Sequence, residues 1–164
     1  MVIKATIRTD GLAKLAMRLR SIRPTLTPGQ WLAEVGQDSM DEFVNVMAQA
    51  FKTEGASGAS GKWAALSDNP PGHGYASQKL AKYGNQPILV ATGALRDSLT
   101  KPRHKNMIFQ VDANGILLGS TIPYFKYHQL GTTKMPKRPP ISLTKDQIQR
   151  IAIQPFKKKI GGQP

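Results

Sequence analysis

The sequence predicts an α+β fold: a small antiparallel sheet packed against a long helix of the N-terminal half and shorter helices, with long loops and a basic tail. Three observations carry this expectation. Apolar residues recur at helical spacing from about Trp31 to Ala50. Two short apolar runs, 107–111 and 115–120, flank an Asn-Gly pair that suits a hairpin turn. The chain has 164 residues, 40% of them hydrophobic and 20% charged, which fits one globular domain with a single core. That domain is expected over 1–156, with 53–87 as a loop-rich insertion and 157–164 as a flexible tail.

Residues 2–8 alternate imperfectly between apolar and polar and predict a strand, a candidate edge partner for the hairpin. Leu12, Leu15, Ala16 and Leu19 predict a helix that ends before Arg23-Pro24, because a residue preceding proline disfavours the α region. Thr27-Pro28-Gly29-Gln30 reads as a capping box with proline in the first turn. The helix it opens would reach about Phe51 or Lys52, roughly 36 Å at 1.5 Å per residue. Trp31, Leu32, Val35, Phe43, Val46, Met47 and Ala50 form its broad apolar face, opposite Glu34, Asp38 and Asp41. Those acidic residues read as a solvated helix face, or as a subunit face that meets the basic tail of an identical copy in head-to-tail association.

The stretch 53–61 holds Gly55, Gly58 and Gly61 and is expected to be mobile. Its spacing lacks the Gly-Lys-Ser/Thr of a phosphate-binding loop. Trp63 and Leu66 anchor its far end to the core, Asn69-Pro70-Pro71-Gly72 breaks the chain, and Tyr75–Tyr83 has helical periodicity. In the central stretch 88–99, Thr92 is a candidate helix cap, and Leu89, Leu95 and Leu99 join Trp31 and Trp63 as expected core anchors. Thr144-Lys145-Asp146-Gln147 is a second capping box, opening a helix that Pro155 should end near Ile153.

Charge is uneven. Through Ser98 there are 11 Lys and Arg against 8 Asp and Glu; from Leu99 onward there are 12 against 2, most of the net +13. Lys101, Arg103, Lys105, Lys134, Lys137, Arg138, Lys157, Lys158 and Lys159 are therefore candidate contacts to DNA or to an acidic assembly partner. Without cysteine there is no disulfide or thiolate metal site, and no apolar run approaches the ~18 residues of a membrane span. The N-terminus is too short in apolar residues for a signal peptide, so a cytoplasmic product is expected. No catalytic, metal or cofactor site is assigned. His128 lacks an evident nucleophile or metal partner, which leaves a small hydrolase as a minor alternative.

In order, the chain carries Gly61-x-Trp63-x-x-Leu66, Ile88-Leu89-x-x-Thr92-Gly93-x-Leu95-x-x-Ser98, the run Gly115–Ser120, Tyr124-x-x-x-His128-Gln129-x-Gly131, Pro136-x-Arg138-Pro139 and a capped helix from Thr144. This succession, over roughly Trp31 to Ile153, resembles the phage virion morphogenesis family of tail completion proteins. The resemblance implies a structural virion protein of the head–tail junction, or neck, and no enzyme. It would form a ring with other copies of itself and contact connector and tail-tube proteins, with passing genomic DNA as a further contact. The alternative from charge alone is a sequence-independent nucleic-acid-binding protein.

Overall fold

A computed structural model describes residues 4–8, 14, 17, 18, 21, 28–112 and 115–161. The elements are β1 (Lys4–Arg8), α1 (Pro28–Lys52), α2 (Tyr75–Tyr83), α3 (Ala94–Thr100), β2 (Met107–Asp112), β3 (Gly115–Ser120), α4 (Phe125–Leu130), α5 (Lys145–Ile148), a π-helical turn (Gln149–Ile153) and α6 (Gln154–Gly161). The chain is α+β, as its periodicity predicts. Among the described residues, no helix is long and apolar enough to cross a membrane.

The strands form one antiparallel sheet in the order β1-β3-β2. β3 is central because it alone is apolar or small at nearly every position. Ile116 pairs with Ile7 on one side and Val111 on the other, and Leu118 with Ala5 and Phe109. The N-terminal strand takes the edge position predicted for it. Beside the hairpin turn, Asp112 Oδ1 accepts a hydrogen bond from the Gly115 N–H at 3.0 Å.

Helix α1 packs across β2, α3, the π turn and α6. Its buried face steps by three or four through Val35, Ser39, Phe43, Val46, Met47, Ala50 and Phe51, the spacing of one helical stripe. That stripe meets Leu95 and Leu99 from α3, Ile116 and Leu118 from β3, Phe125 from α4, and Ile151 and Ala152 from the π turn. Each large side chain so buried contributes roughly 1.5–3 kcal/mol. Phe43 lies against Phe109 at 5.8 Å between centroids, and Phe51 against Trp63 at 5.4 Å, edge to face. Of the five expected core anchors, Trp63, Leu95 and Leu99 are buried. Leu89 is only half-buried, with its backbone at φ 62°.

Four local expectations are corrected. Gly93, not Thr92, caps α3: its backbone is left-handed at φ 83°, and the Thr92 hydroxyl reaches only the Ala94 N–H, at 3.4 Å. The last helix does not stop near Ile153. The Gln154 N–H reaches back five residues to the Gln149 carbonyl, and this widened turn lets the helix continue through Pro155, which has no N–H to give. The expected tail therefore begins as helix: 157–161 belong to α6, held down by fully buried Phe156. Finally, 53–61 is tied down. Ala59 N–H donates to the Ser142 carbonyl at 3.0 Å, Ser60 N–H to Ser142 Oγ at 2.7 Å, and Gln147 Nε2 to the Ser57 carbonyl at 2.9 Å. The capping box at Thr144 forms as predicted. The cap at Thr27, the side chain of Trp31, turn residues Ala113 and Asn114, most of the helix expected over 12–22, and 162–164 lie outside the described residues.

Candidate functional site

The loops 53–66 and 132–143 form one hydrogen-bonded knot, and it supplies part of the wall of a concave, largely apolar site. Trp63 Nε1 donates to the Pro139 carbonyl at 3.0 Å, and the Trp63 N–H to the Glu54 carbonyl at 2.7 Å. Arg138 is buried, not displayed. Its Nε donates to the Ala64 carbonyl at 2.6 Å and its Nη2 to the Ala65 carbonyl at 2.7 Å. Gln129 closes the other side, donating to the Ile141 carbonyl at 2.8 Å and accepting from its N–H at 3.2 Å. Glu54 ties the knot to the central stretch by accepting from the Ile88 N–H at 2.9 Å.

Against this knot stands α2. Its periodicity would admit Leu80 as the inward residue, yet Leu80 is 58% exposed and Lys79 is buried. The reason is local. The chain leaving α2 turns back so that the carbonyls of Gln86 and Pro87 both accept from Lys79 Nζ. Two carbonyls replace water around the ammonium, and Tyr75, Lys79 and Tyr83, four residues apart, face one way.

Between α2, the 89–95 segment, α4 and the 134–138 loop lies a cavity of about 600 Å³. Leu66, Leu89, Val90, Leu95, Met135 and Pro136 supply apolar wall. Tyr75, Tyr83 and Tyr124 supply aromatic rim, and Lys79, Lys134, Arg138 and His128 supply all its titratable nitrogen; no Asp or Glu lines it. The electrostatics follow. Burial lowers the pKa of Lys79, with Glu54 opposing, and lowers that of Arg138, with Tyr75 opposing. Burial, then the Arg138 charge, also lowers that of His128. Both effects favour the neutral imidazole. Its Nδ1 is buried without a hydrogen-bond partner among the described residues, and the ring stands edge-on to Tyr124 at 6.0 Å. No carboxylate lies in the cavity wall to orient it as a general base.

The other predicted contact residues scatter. Lys105, Lys134, Lys137, Lys157 and Lys158 are exposed. Lys101 is exposed but paired with Asp97 at 2.6 Å. Arg103 reaches α1, donating from Nη2 to Gln37 Oε1 at 2.9 Å. Lys159 lies 3.5 Å from Glu34 and 4.0 Å from Asp38, and Arg150 lies 3.1 Å from Glu42. The acidic face of α1 is thus met largely by the chain's own C-terminal helix. Asp41 stays exposed and accepts from Gln37 Nε2 at 2.8 Å. A second, polar groove of about 570 Å³, lined by Asn45, Gln49, Asp146 and the Arg150–Glu42 pair, follows the same seam.

The cavity escaped sequence reasoning. A signal was present in Tyr75-x-x-x-Lys79-x-x-x-Tyr83, but nothing local says that Lys79 is the buried member. Among the described residues, no three His, Asp or Glu side chains converge on a metal-sized site. Comparison with family models, with curated proteins and with solved structures finds no match.

Proposed function

We propose that this chain is a structural subunit of the phage head–tail junction, a ring component that completes the tail or adapts it to the head connector. It acts through complementary surfaces and not through catalysis. The ordered succession of motifs from Gly61 to the capped helix at Thr144 supports this reading, and so does the way those motifs are bonded together. Four polar motif residues, Trp63, Ser98, Gln129 and Arg138, spend their hydrogen bonds on holding segments together. Trp63 bonds Pro139, Arg138 bonds Ala64 and Ala65, Gln129 bonds Ile141, and Ser98 bonds Ser120 at 2.8 Å. Residues used this way make a rigid frame for surfaces, which is what a ring subunit requires. Other copies, connector and tail-tube proteins are its partners in this reading, the virion its location, and DNA a passing contact.

Deleting the gene from its phage or prophage and imaging the particles tests this. Unjoined heads and tails, or tails of uncontrolled length, restored by the gene in trans, are expected. Normal infectious particles would refute it. A second reading, a sequence-independent nucleic-acid binder, is favoured by the exposure of Lys105, Lys134, Lys137, Lys157 and Lys158. It predicts duplex binding by the isolated chain whose affinity falls steeply with salt.

A further inference from the structure

We propose that the cavity beside α2 is a docking site for an acidic, aromatic peptide segment of a different protein. The wall is apolar and wide enough, at about 600 Å³, for one or two large side chains. The charge in it has one sign. Lys79, Lys134 and Arg138 line it without a carboxylate. Lys134 is exposed at the mouth, and no acid among the described residues pairs with it. Tyr75 and Tyr124 are 56% and 41% exposed, and Tyr127 and Leu130 extend the exposed apolar surface along α4. Five of the six exposed large hydrophobics among the described residues lie on or beside α2 and α4, and two of them, Tyr75 and Tyr124, line the cavity. Leu89, in the wall, holds a left-handed backbone that a bulky side chain rarely adopts.

A carboxylate supplies the missing charge, and an adjacent aromatic or aliphatic side chain fills the apolar wall. A second copy of this chain fits poorly, because none of the described acidic residues adjoins an exposed large apolar one in sequence. A nucleic-acid strand fits poorly too. Two of the three cations are buried and already bonded to carbonyls, which leaves one exposed lysine and no track for successive phosphates. The inference rests on the assembly reading only for the source of the segment, a neighbouring virion protein.

The test titrates the full chain with a fluorescent, terminally blocked peptide alternating Phe and Glu, and with its Phe/Gln counterpart. The Glu peptide is expected to bind about tenfold more tightly at low salt, and the preference to shrink as salt rises. Lys134→Glu should abolish the preference. Thr92→Trp, at an exposed lining position, should block both peptides, whereas Lys158→Glu, away from the lining, should change neither. Equal affinity of the two peptides, or binding untouched by Lys134→Glu and Thr92→Trp, overturns the proposal. So does displacement by oligothymidylate, which identifies a nucleic-acid site. Dimerisation of the chain that Lys134→Glu prevents also overturns it, in favour of a second copy. The gene-deletion phenotype is read separately, so a failed titration beside unjoined particles removes the docking site and leaves the structural role standing.

Discussion

Alanine at Gly55 tests the packing of the Trp63 knot, because the structure separates the two costs of adding one methyl group. The backbone there is left-handed, at φ 87°, where an L side chain costs about 1–2 kcal/mol. The new Cβ would also stand 2.5 Å from Trp63 Cδ1 and Nε1 and 2.9 Å from the Gly61 carbonyl oxygen. Trp63 cannot easily retreat, since it is wedged edge-on against Phe51 and bonded to Pro139. Overpacking of this kind costs about 1–3 kcal/mol. Gly61→Ala is the internal control: φ is 71°, but nothing lies within 4 Å of the added Cβ, so only the backbone cost applies. Urea unfolding should place Gly55→Ala about 2–5 kcal/mol below the parent and Gly61→Ala about 1–2 below it. For a chain of this size, Gly55→Ala should lower Tm by roughly 5–15 °C. If the two variants agree within about 0.5 kcal/mol, the collision with Trp63 does not exist and the knot is looser than described.

Gly36→Ala, inside α1 with its added Cβ in ordinary contact at 3.7 Å from Val111 Cγ2, should stabilise by about 0.5–1 kcal/mol in the same assay. Arg138→Gln should cost about 1–3 kcal/mol, because two charge-assisted bonds to the Ala64 and Ala65 carbonyls are lost, and amide exchange in 63–66 should quicken. His128 has a folded pKa below its ordinary 6.5, so the unfolded chain binds the extra proton first. Its contribution is present above about pH 6.5 and is lost as pH falls through the folded value; His128→Gln should flatten that part of the stability profile, read by urea midpoints. Asp97 is held below 3.8, first by the hydrogen bond from Lys101 and then by Arg96. Its contribution should persist above about pH 4 and fade on further acidification, and Asp97→Asn should remove that acid limb.

Long-period patterns were legible in the sequence. The stripe from Val35 to Phe51, the strand runs around Asp112–Gly115, the helix Tyr75–Tyr83 and the cap at Thr144 depend on neighbours within a turn or a hairpin, and those interactions are written locally. The limits appear where one residue's environment comes from far along the chain. Arg138 looked like a surface cation among prolines, and its burial depends on Ala64 and Ala65, more than seventy positions away. The Gly/Ser stretch looked loose, and its order depends on Ser142 and Gln147. Pro155 looked like a stop, and a π-helical turn with i→i+5 bonding carries the chain past it.

The sequence alone determined the α+β class, the long helix, the three strands and the basic imbalance, because periodicity, turn chemistry and composition are local quantities. Tertiary structure alone decided which cations are spent inside the fold, how the acidic face of α1 is met, and that a cationic, aromatic cavity opens beside α2. Those outcomes depend on backbone carbonyls and carboxylates brought together across long loops, and no spacing rule within one segment encodes where a distant acceptor will stand.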